Sequence, residues 1–567
     1  MKPKFSTATL FPIFLLLLGT AAARLPFIGN LLPDFSNSGL GNLLPQPVPD
    51  QPPSQTERLD YETAFTGDWE LISQDCGVSA MHLAITYQNK AVMFDSTVTG
   101  PSHAPLPPNN CRPDPTGETN ILDCWAHAVE FDLQTYTFRP LKVLTDPWCS
   151  SGGFAADGTL VNTGGWKDGV AAVRYATQQI LGDGSFIVLG GRRAFNYEFV
   201  PAEKSKSTRL YDLPFLLETT DREENNLYPF IHLSTDGNLF VFANNRAILL
   251  QPKTGVILRE FPPLPGGSRN YPASGMSALL PIDLNDQNSN PTKRTTLFPA
   301  HVLICGGAPS NSFHLADAYK TYVPGLKSCG RITITDPLAQ WELENMPAPR
   351  TIADMLVLPN GDVLIINGAM LGCAGWDFAR EPALAPLLYM PAVTGSGRWR
   401  ELASTWIPRM YHASSAVLPD AAILVAGSNT NPSYNFSEEA LFPTELRVEK
   451  FRPPYLDPDM DAERPRIDAE KVKKEVGYKE SFEVAFTVPG AVVEMTNVKV
   501  TMYAPPFTTH GYSMNQRLLV LRVEELGMGR IMVTAPPSGD IAPPGWYMLF
   551  VVHMGLPSEA AWVRVHG

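Results

Sequence analysis

DGSFIVLGG, residues 183–191, shows the pattern that decides the fold of this 567-residue chain. It joins a turn containing Asp and Gly to a short apolar strand that ends at small residues. Seven related phrases lie between residues 61 and 455: NKAVMFD from Asn89, DGTLVNTGG from Asp157, DGSFIVLGG from Asp183, DGNLFVFANN from Asp236, HVLICGG from His301, NGDVLIING from Asn360 and DAAILVAG from Asp420. No long helical period competes with these phrases, so the body of the protein is predicted to be all-β.

The spacing of the phrases indicates how their strands are arranged. Most are about 53 to 69 residues apart, close to the period of about 50 residues of kelch-type propeller blades. Paired glycines suit strands that crowd around an axis, where a Cβ atom would clash with a neighbouring backbone. We therefore predict a seven-bladed kelch-type β-propeller over residues 61–455, in which each phrase forms the inner strand of one blade.

One interval is too short for a complete blade. The phrases at Asp157 and Asp183 are 26 residues apart, whereas four strands of about five or six residues plus turns need more chain. Either this blade is reduced, or a splicing or gene-model deletion has removed its outer strands. The shortening falls between Gly165 and Tyr175, beside two candidate site residues.

The two ends of the chain differ from this body. Residues 1–23 combine lysines, an apolar run and small alanines, the pattern of a secretory signal peptide, and residues 24–60 resemble a Pro- and Gly-rich linker. Residues 456–567 contain strand-like runs separated by turns, as in an immunoglobulin-like sandwich. A secreted, extracellular protein is predicted, located in the cell wall or apoplast if the source is a plant, with a glycosylation sequon at Asn435.

The net charge of −13 restricts the partners. Nucleic acid is not expected, because phosphate binding needs a concentrated basic face. No apolar run is long enough to span a bilayer, so no membrane association is expected either. The predicted partners are a small substrate and O2, and the protein is expected to be a monomer.

Seven cysteines leave one thiol without a partner in an oxidising compartment, and Cys149 is assigned this role. Short separations suggest two bridges and elimination suggests a third, which gives Cys111–Cys124, Cys305–Cys329 and Cys76–Cys373. Six cysteines allow fifteen pairings, so other schemes stay open.

Several widely separated residues have side chains that suit a copper site, namely Cys149, Tyr175, Tyr411, His412 and His510. Two phenols and two imidazoles provide the mixed N and O ligands that a tetragonal Cu(II) site takes. A lone thiol can be cross-linked to a neighbouring phenol. Taken singly, such residues are more often core or disulfide residues, so the prediction depends on their joint occurrence with an odd number of cysteines.

Four motifs carry a family resemblance: WCSSGG from Trp148, RYATQQ from Arg174, RMYHASSAVLPD from Arg409 and PPFTTHGYSMNQR from Pro505. In this order they resemble the galactose oxidase and glyoxal oxidase family of radical copper oxidases. Plant glyoxal oxidase-like aldehyde oxidases look most similar. The resemblance extends over residues 65–567 and includes the order of the two domains.

The resemblance implies one copper ion and a self-processed thioether between Cys149 and Tyr175 that carries a tyrosyl radical. It implies Tyr175, Tyr411, His412 and His510 as the copper ligands. Tyr411 would be the axial ligand and the general base. His510 would project from the C-terminal domain along the propeller axis.

Tyr228, in NNLYPFIHLSTDG, is an alternative to Tyr175 because it also precedes one of the strand phrases. Internal alignment favours Tyr175, since Arg174-Tyr175 leads into its phrase much as Tyr411 leads into the phrase at Asp420.

A departure from the family pattern indicates the substrate class. Galactose-oxidising members stack a Trp on the cross-linked Tyr from a position where this chain has Arg192-Arg193. The difference favours glyoxal-like aldehydes, oxidised to carboxylic acids while O2 is reduced to hydrogen peroxide; Trp148 and Trp166 are other candidates for stacking. The alternatives are a galactose or primary-alcohol oxidase acting on cell-wall polysaccharide, and an inactive binding module in which the shortened blade separates the thiol from the phenol.

Overall fold

A computed structural model describes residues 61–113, 122–166, 174–200, 209–285, 297–490, 493–527 and 529–567. The described residues belong to one compact unit. The predicted signal peptide and linker, residues 1–60, lie outside these ranges and stay predictions. None of the helices within the described ranges is long and apolar enough to cross a membrane.

Seven antiparallel sheets, named I to VII, follow one another along the chain. Their strands, from the first to the last in each sheet, are: I, His82–Thr86, Lys90–Phe94, Ala128–Asp132 and Phe138–Leu141; II, Ser151–Phe154 and Leu160–Thr163; III, Thr177–Ile180, Phe186–Leu189, Asn196–Val200 and Tyr211–Asp212; IV, Phe230–Leu233, Leu239–Ala243, Arg246–Gln251 and Val256–Phe261; V, Gly275–Leu279, His301–Gly306, Ser328–Thr333 and Glu342–Asn345; VI, Asp354–Val357, Val363–Ile366, Leu387–Tyr389 and Trp399–Glu401; VII, Ala413–Val417, Ile423–Gly427, Val448–Arg452 and Asp68–Ser73.

The remaining elements are short. Two further strand pairs are Arg112–Pro113 with Leu122–Asp123 and Ala369–Gly372 with Ala379–Pro382. The α-helices are Pro214–Glu218 and Ser312–Tyr319, and the 3-10 helices are Gly395–Arg398, Pro454–Leu456, Pro458–Glu463 and Met495–Asn497. The prediction of an all-β protein is confirmed.

The repeated phrase forms the second strand of every sheet, which corrects its predicted innermost position. The first strands are innermost, because they contact the first strands of neighbouring sheets. They were inconspicuous in the sequence because buried polar residues interrupt their apolar pattern, as His82, Gln178 and Ser415 show.

Contacts between first strands run from sheet II through sheets III, IV, V, VI and VII to sheet I. Between sheets I and II, the strand Phe507–Thr509 contacts both first strands. The strand Asp68–Ser73 pairs with Val448–Arg452 and so joins the start of this region to its end. Within the described ranges no hydrogen-bonded ladder joins one of the seven sheets to the next, so the propeller stays a prediction that the order of contacts supports.

Sheet II has two strands among the described residues, whereas each of the other six sheets has four strands from residues 61–455, and two strands of the C-terminal region extend sheet I. Within the described ranges sheet II is therefore the shorter one, in agreement with the expectation. Its second strand, Leu160–Thr163, pairs with Ser151–Phe154 and with no other strand of the described ranges. Residues 167–173, in the connection to sheet III, lie outside the described ranges.

The C-terminal region forms two more sheets, as predicted for an immunoglobulin-like domain. One contains Ile282–Asp283, Arg517–Val520, Val498–Ala504, Gly545–His553, Ala561–His566 and Glu475–Gly477, with Leu556–Pro557 beside Gly545–His553. The other contains Arg466–Ile467, Ser481–Thr487, Arg530–Thr534 and Arg522–Gly527. Because Ile282–Asp283 lies between the first and second strands of sheet V in the chain, this pairing connects the two regions directly.

A hairpin from the C-terminal region lies among the first strands of the seven sheets. Its strands are Phe507–Thr509 and Tyr512–Met514, and the first pairs with His82–Thr86 of sheet I. His510 and Gly511 form its tip, with φ angles of 51° and 79°, as in the tightest hairpin turns. A Cβ atom at Gly511 would lie 2.8 Å from the carbonyl oxygen of Ala353, so the tip approaches the backbone before sheet VI closely.

Polar side chains that follow the hairpin hold it in place. Asn515, Gln516 and Arg517 donate hydrogen bonds to carbonyl groups of sheets II, III, IV and VI. The acceptors are Gly152 and Gln178 for Asn515, Met355 for Gln516 and Leu233 for Arg517, at 2.9, 3.2, 3.1 and 2.9 Å respectively. These bonds fix the position from which His510 reaches the centre.

Two of the suggested disulfide bridges are present, Cys111–Cys124 and Cys305–Cys329. The third is wrong, because Cys76 and Cys373 are both free thiols in different apolar clusters. Elimination assumed that every remaining cysteine was paired, whereas a small apolar side chain is also stable as a buried thiol. Burial raises the pKa of Cys76 to about 12. Cys149 is free, as predicted.

Candidate metal centre

An unusual backbone conformation recurs at the inner ends of the sheets. One or two residues before the first strand, six of the seven sheets have a non-glycine residue with positive φ. These residues are Cys149, Tyr175, Tyr228, Ser274, Ile352 and His412, with φ angles of 55°, 65°, 47°, 48°, 51° and 63°. This conformation is uncommon for such residues, and its recurrence indicates that the fold imposes it.

Backbone hydrogen bonds connect these positions between adjacent sheets. The amide of Tyr175 donates to the carbonyl oxygen of Cys149, and the amide of Tyr228 donates to that of Tyr175, both at 2.8 Å. Ile352 donates to Ser274 in the same way, at 2.8 Å. Residues from distant parts of the sequence are thereby brought to one buried cluster.

All five site residues predicted from the sequence lie in this cluster and are buried. Cys149 Sγ lies 3.5 Å from His510 Nε2. The ring centroids of Tyr411 and His412 are 3.8 Å apart, and those of His412 and His510 are 4.9 Å apart. The shared burial and short separations bring the candidate ligands within the volume of a single site.

The shortened sheet does not separate the predicted cross-linking residues. The backbone amide of Tyr175 donates to the carbonyl oxygen of Cys149 at 2.8 Å, and the two side chains are near enough for each to shift the pKa of the other. Tyr228 lies nearby, with its ring 5.6 Å from that of Tyr175, but its hydroxyl donates to the Ser150 carbonyl oxygen at 3.0 Å. These contacts favour Tyr175 over Tyr228 as the partner of the thiol.

His412 has ring nitrogens that the surrounding described residues leave without a hydrogen-bond partner. Both of its ring nitrogens are buried and have no hydrogen-bond partner among the described residues. Leaving a buried polar group unpartnered costs about 1–3 kcal/mol, a cost that coordination of a metal ion would remove. Within the described part of the chain, no three His, Cys, Asp or Glu side chains form a metal site by themselves, so the tyrosines are needed to complete the set. Two imidazoles and two phenols fit copper.

Burial controls the charge of these groups in the metal-free protein. It raises the pKa of Tyr175 and Tyr411 well above the usual range, and neighbouring phenols add to the effect at Tyr411. It lowers the pKa of His412 and His510 well below the usual range. The phenols are therefore protonated and the imidazoles neutral, so binding of Cu(II) by the phenols requires release of protons.

Tyr271 belongs to the site and was missed by the sequence analysis. Its ring stacks on Tyr175 at 4.7 Å with an interplanar angle of 23°, and its hydroxyl forms a hydrogen bond of 2.8 Å with the Tyr411 hydroxyl. It precedes sheet V, whereas the family pattern places the stacking residue after the second strand of sheet III. The available signal was the Tyr-Pro pair at residues 271–272, which matches the pair at Tyr228 before the preceding sheet.

The other candidates for stacking have different surroundings. Trp148 packs edge-on against Trp166 at 4.9 Å and stacks on Trp376 at 5.6 Å; among the described residues neither Trp148 nor Trp166 stacks on Tyr175. The two arginines that replace the family Trp form ion pairs near the surface, Arg192–Glu224 at 2.9 Å and Arg193–Glu224 at 3.6 Å.

Two family descriptions match the chain. "Glyoxal oxidase N-terminus" matches residues 81–177 and 172–455, and "Galactose oxidase-like, Early set domain" matches residues 464–565. The first match is divided at residues 172–177, which both pieces include and which follow sheet II in the chain.

Similar proteins and a similar structure agree with these matches. Aldehyde oxidase GLOX1 from Arabidopsis thaliana is 46% identical over 532 residues, which cover 89% of this chain and 85% of that protein. Aldehyde oxidase GLOX from Vitis pseudoreticulata is 42% identical over 530 residues, which cover 88% of this chain and 97% of that protein. A solved structure described as a novel fungal alcohol oxidase of the AA5 family in complex with copper has a TM-score of 0.64 and 17% identity, and covers 88% of this chain and 100% of its own; it shows the shared fold. The chain therefore belongs to the glyoxal oxidase family, with a glyoxal oxidase N-terminal domain followed by a galactose oxidase-like early set domain.

Proposed function

We propose that the protein is a copper-dependent aldehyde oxidase of the glyoxal oxidase type. It oxidises aldehydes to carboxylic acids and reduces O2 to hydrogen peroxide. The observation that carries the proposal is His412, whose buried ring nitrogens have no partner among the described residues, beside His510 and Tyr411. Relatives named aldehyde oxidase support the substrate class.

The proposed copper ligands are Tyr175, Tyr411, His412 and His510. Copper bound there would accept one electron and acidify the oxygen of the substrate as a Lewis acid. The protein contributes a buried, preorganised set of side chains that excludes water from the reaction.

Of the two electrons that the substrate loses, one is assigned to copper and the other to Tyr175 cross-linked to Cys149. A bond forms between Cys149 Sγ and a ring carbon of Tyr175; each residue loses one hydrogen, and the two electrons and two protons pass to O2 as hydrogen peroxide. The sulfur substituent makes the Tyr175 ring easier to oxidise to a phenoxyl radical. The proximity of the two residues, whose backbones share a hydrogen bond of 2.8 Å and whose side chains shift each other's pKa, supports this assignment.

The overall reaction balances with the hydrated aldehyde as the reductant. The hydrate loses two electrons and two protons and becomes the carboxylic acid, and O2 receives them. Tyr411 is the proposed base for the hydroxyl proton. The Tyr271 hydroxyl forms a hydrogen bond of 2.8 Å with the Tyr411 hydroxyl. This bond orients the Tyr411 oxygen, which receives the proton.

Mass spectrometry of copper-loaded protein tests the cross-link. We expect a peptide containing Cys149 joined to Tyr175, two hydrogens lighter than the separate peptides. Tyr228→Phe should form the same cross-link, whereas Tyr175→Phe should not. A cross-link lost in the Tyr228 variant and kept in the Tyr175 variant would reverse the assignment.

A peroxide assay tests the substrate class with the same protein. We expect hydrogen peroxide and the matching carboxylic acid from glyoxal-like aldehydes, at rates well above those with galactose or primary alcohols. A cross-linked, copper-loaded protein that oxidises only the alcohols would contradict an aldehyde oxidase.

We also propose that the protein is secreted and acts as a monomer. Two disulfide bridges are typical of an oxidising compartment. N-terminal sequencing of the exported protein should give a start after residue 23, and its mass in solution should be that of one chain.

A further inference from the structure

A chain of buried hydrogen bonds ends at His510. His82 Nε2 lies 3.0 Å from the carbonyl oxygen of Pro147 and 3.1 Å from Ser150 Oγ. On the other side of the same ring, Nδ1 lies 2.7 Å from Thr509 Oγ1. Thr509 Oγ1 in turn lies 2.6 Å from His510 Nδ1.

The chemistry of the first two groups fixes the proton on His82. The Pro147 carbonyl oxygen can only accept, so His82 Nε2 must carry a hydrogen. The ring is packed between two phenylalanine rings and forms no ion pair with a described carboxylate, so it is neutral. Burial lowers the pKa of His82 to about 4, although nearby carbonyl groups oppose the effect. A neutral ring that is protonated at Nε2 has an unprotonated Nδ1.

The direction of the remaining bonds follows from this proton. Because His82 Nδ1 accepts, Thr509 must use its single hydroxyl hydrogen to donate to it. The Thr509 oxygen then accepts from His510, so His510 Nδ1 carries a hydrogen. In a neutral ring this leaves the lone pair on Nε2, the nitrogen that lies 3.5 Å from Cys149 Sγ.

We propose that His82 is a positioning residue that acts through Thr509 to fix the tautomer of His510, so that the His510 Nε2 lone pair faces the metal centre. This inference rests on the proposed copper function. Partners of this kind orient metal-binding histidines and select their tautomers. His82 also holds residues 147 and 150, which flank Cys149, and so connects the thiol and the His510 hairpin.

The two candidate histidine ligands differ in whether a hydrogen bond selects their tautomer. His412 has no hydrogen-bond partner at either ring nitrogen among the described residues, so neither tautomer is selected. His510 is held through Nδ1 before any metal binds. The order of the hydrogen bonds therefore predicts that His510 is preorganised as a ligand.

The tautomer can be measured directly in metal-free protein labelled with 15N-histidine, since protonated and unprotonated ring nitrogens have widely separated 15N shifts. His510→Gln identifies the signals of His510. We expect Nδ1–H in the wild type and in Thr509→Ser, and a gain of Nε2–H in His82→Phe and Thr509→Val. A proton on Nε2 in the wild type, or a tautomer that neither variant changes, would overturn the proposal.

Copper affinity, measured by competition with a chelator, tests the path through Thr509. His82→Phe keeps a ring of similar size and Thr509→Val keeps the shape of the side chain, while both remove hydrogen bonds. We expect each to weaken Cu(II) binding by about 10- to 100-fold. The double variant should bind about as well as the weaker single variant, because both changes break one path. Additive losses would overturn the proposal.

His232→Phe is the matched control. His232 is also a buried histidine of a first strand, with Nε2 2.7 Å from the Ser277 hydroxyl, but this partner does not contact His510. The His232→Phe variant should bind copper about as tightly as the wild type. An equal loss of affinity in this variant would show that the effect comes from general packing and would refute the proposal. If His82→Phe does not fold, the Thr509→Val and Thr509→Ser pair decides the question. A wild type that binds no copper would refute the proposed function, while the tautomer in metal-free protein would still decide the inference.

Discussion

Tyr271 contacts both phenols that are proposed as copper ligands. Its ring lies on Tyr175 and its hydroxyl bonds to Tyr411. Stacked aromatic pairs contribute about 0.5–1.5 kcal/mol beyond the burial of their surface, and the ring also limits access of water to one face of Tyr175. The two contacts predict two separable roles, protection of the radical by the ring and orientation of Tyr411 by the hydroxyl.

Two substitutions separate these roles. Tyr271→Phe keeps the ring, so the radical should persist as in the wild type while turnover falls about 10-fold, as for the loss of other partners of ligands. Tyr271→Leu also removes the stacked ring and should shorten the lifetime of the radical, followed by optical absorption. The control is Tyr197→Phe, since Tyr197 stacks on Tyr211 at 5.1 Å away from the cluster. Equal radical lifetimes in the two Tyr271 variants would contradict the role of the ring.

The number of free thiols can be counted. Cys76, Cys149 and Cys373 are free, so alkylation after denaturation without reduction should label three thiols in protein that has never bound copper. Cross-linking consumes Cys149 and should leave two. A bridge between Cys76 and Cys373 would instead give one and then none, and peptide mapping distinguishes the cases.

The sequence identified the residues whose motifs are local, such as Cys149 and the Tyr411-His412 pair. It did not identify Tyr271 or His82 as parts of the site. Their roles depend on contacts with residues of other sheets, 140 positions away for Tyr271 with Tyr411 and 427 for His82 with Thr509. No local pattern encodes such a contact, and a buried Tyr or His looks the same in the sequence whether it serves the core or a site.

At the scale of elements, the first strands hold the sheets together through polar side chains. Asp354, in the first strand of sheet VI, accepts from Ser415 Oγ of sheet VII at 2.7 Å and from Asn367 Nδ2 at 3.0 Å. Its other carboxyl oxygen, Oδ1, is buried with no partner among the described residues. The second strands were predictable because most of them have an unbroken apolar pattern, whereas groups such as Asp354 concealed the strands that carry the site.

Asp354 makes stability depend on pH. Burial raises its pKa from 3.8 to about 7, so between these values the folded protein retains a proton that the unfolded chain releases. The free energy of unfolding from this group therefore falls as pH rises through this window, by on the order of a few kcal/mol. Asp354→Asn should flatten the fall, measured by urea unfolding at several pH values. Asp236→Asn, in an exposed turn, should leave the profile as in the wild type; an unchanged profile in Asp354→Asn would contradict the assignment.

For the whole molecule, the residue that follows the C-terminal hairpin supports sheet II, which has two strands among the described residues. Asn515 donates to the Gly152 carbonyl oxygen of sheet II and to that of Gln178 in sheet III. The amide of Ile180 also donates to its side chain, at 2.7 Å. The inner edge of sheet II is thus held from the centre, which explains how Cys149 stays beside Tyr175. From the sequence, the shortening was predictable, but this support depends on the contact of two regions more than 330 residues apart.

Hydrogen exchange should show which strand of sheet II the C-terminal region does not stabilise. Among the described residues the strand Leu160–Thr163 pairs on one side alone, whereas the equivalent strand Phe186–Leu189 of sheet III pairs on both. Unpaired edge amides exchange through smaller openings, so Leu160–Thr163 should exchange faster than Phe186–Leu189 in metal-free protein. Copper loading followed by cross-linking joins Cys149 to Tyr175 covalently and should slow hydrogen exchange in sheet II. In the Cys149→Ser variant, which cannot form the cross-link, copper loading should leave the exchange of sheet II unchanged. Equal protection of the two strands in metal-free protein would show that another segment completes sheet II, and the blade would then not be reduced.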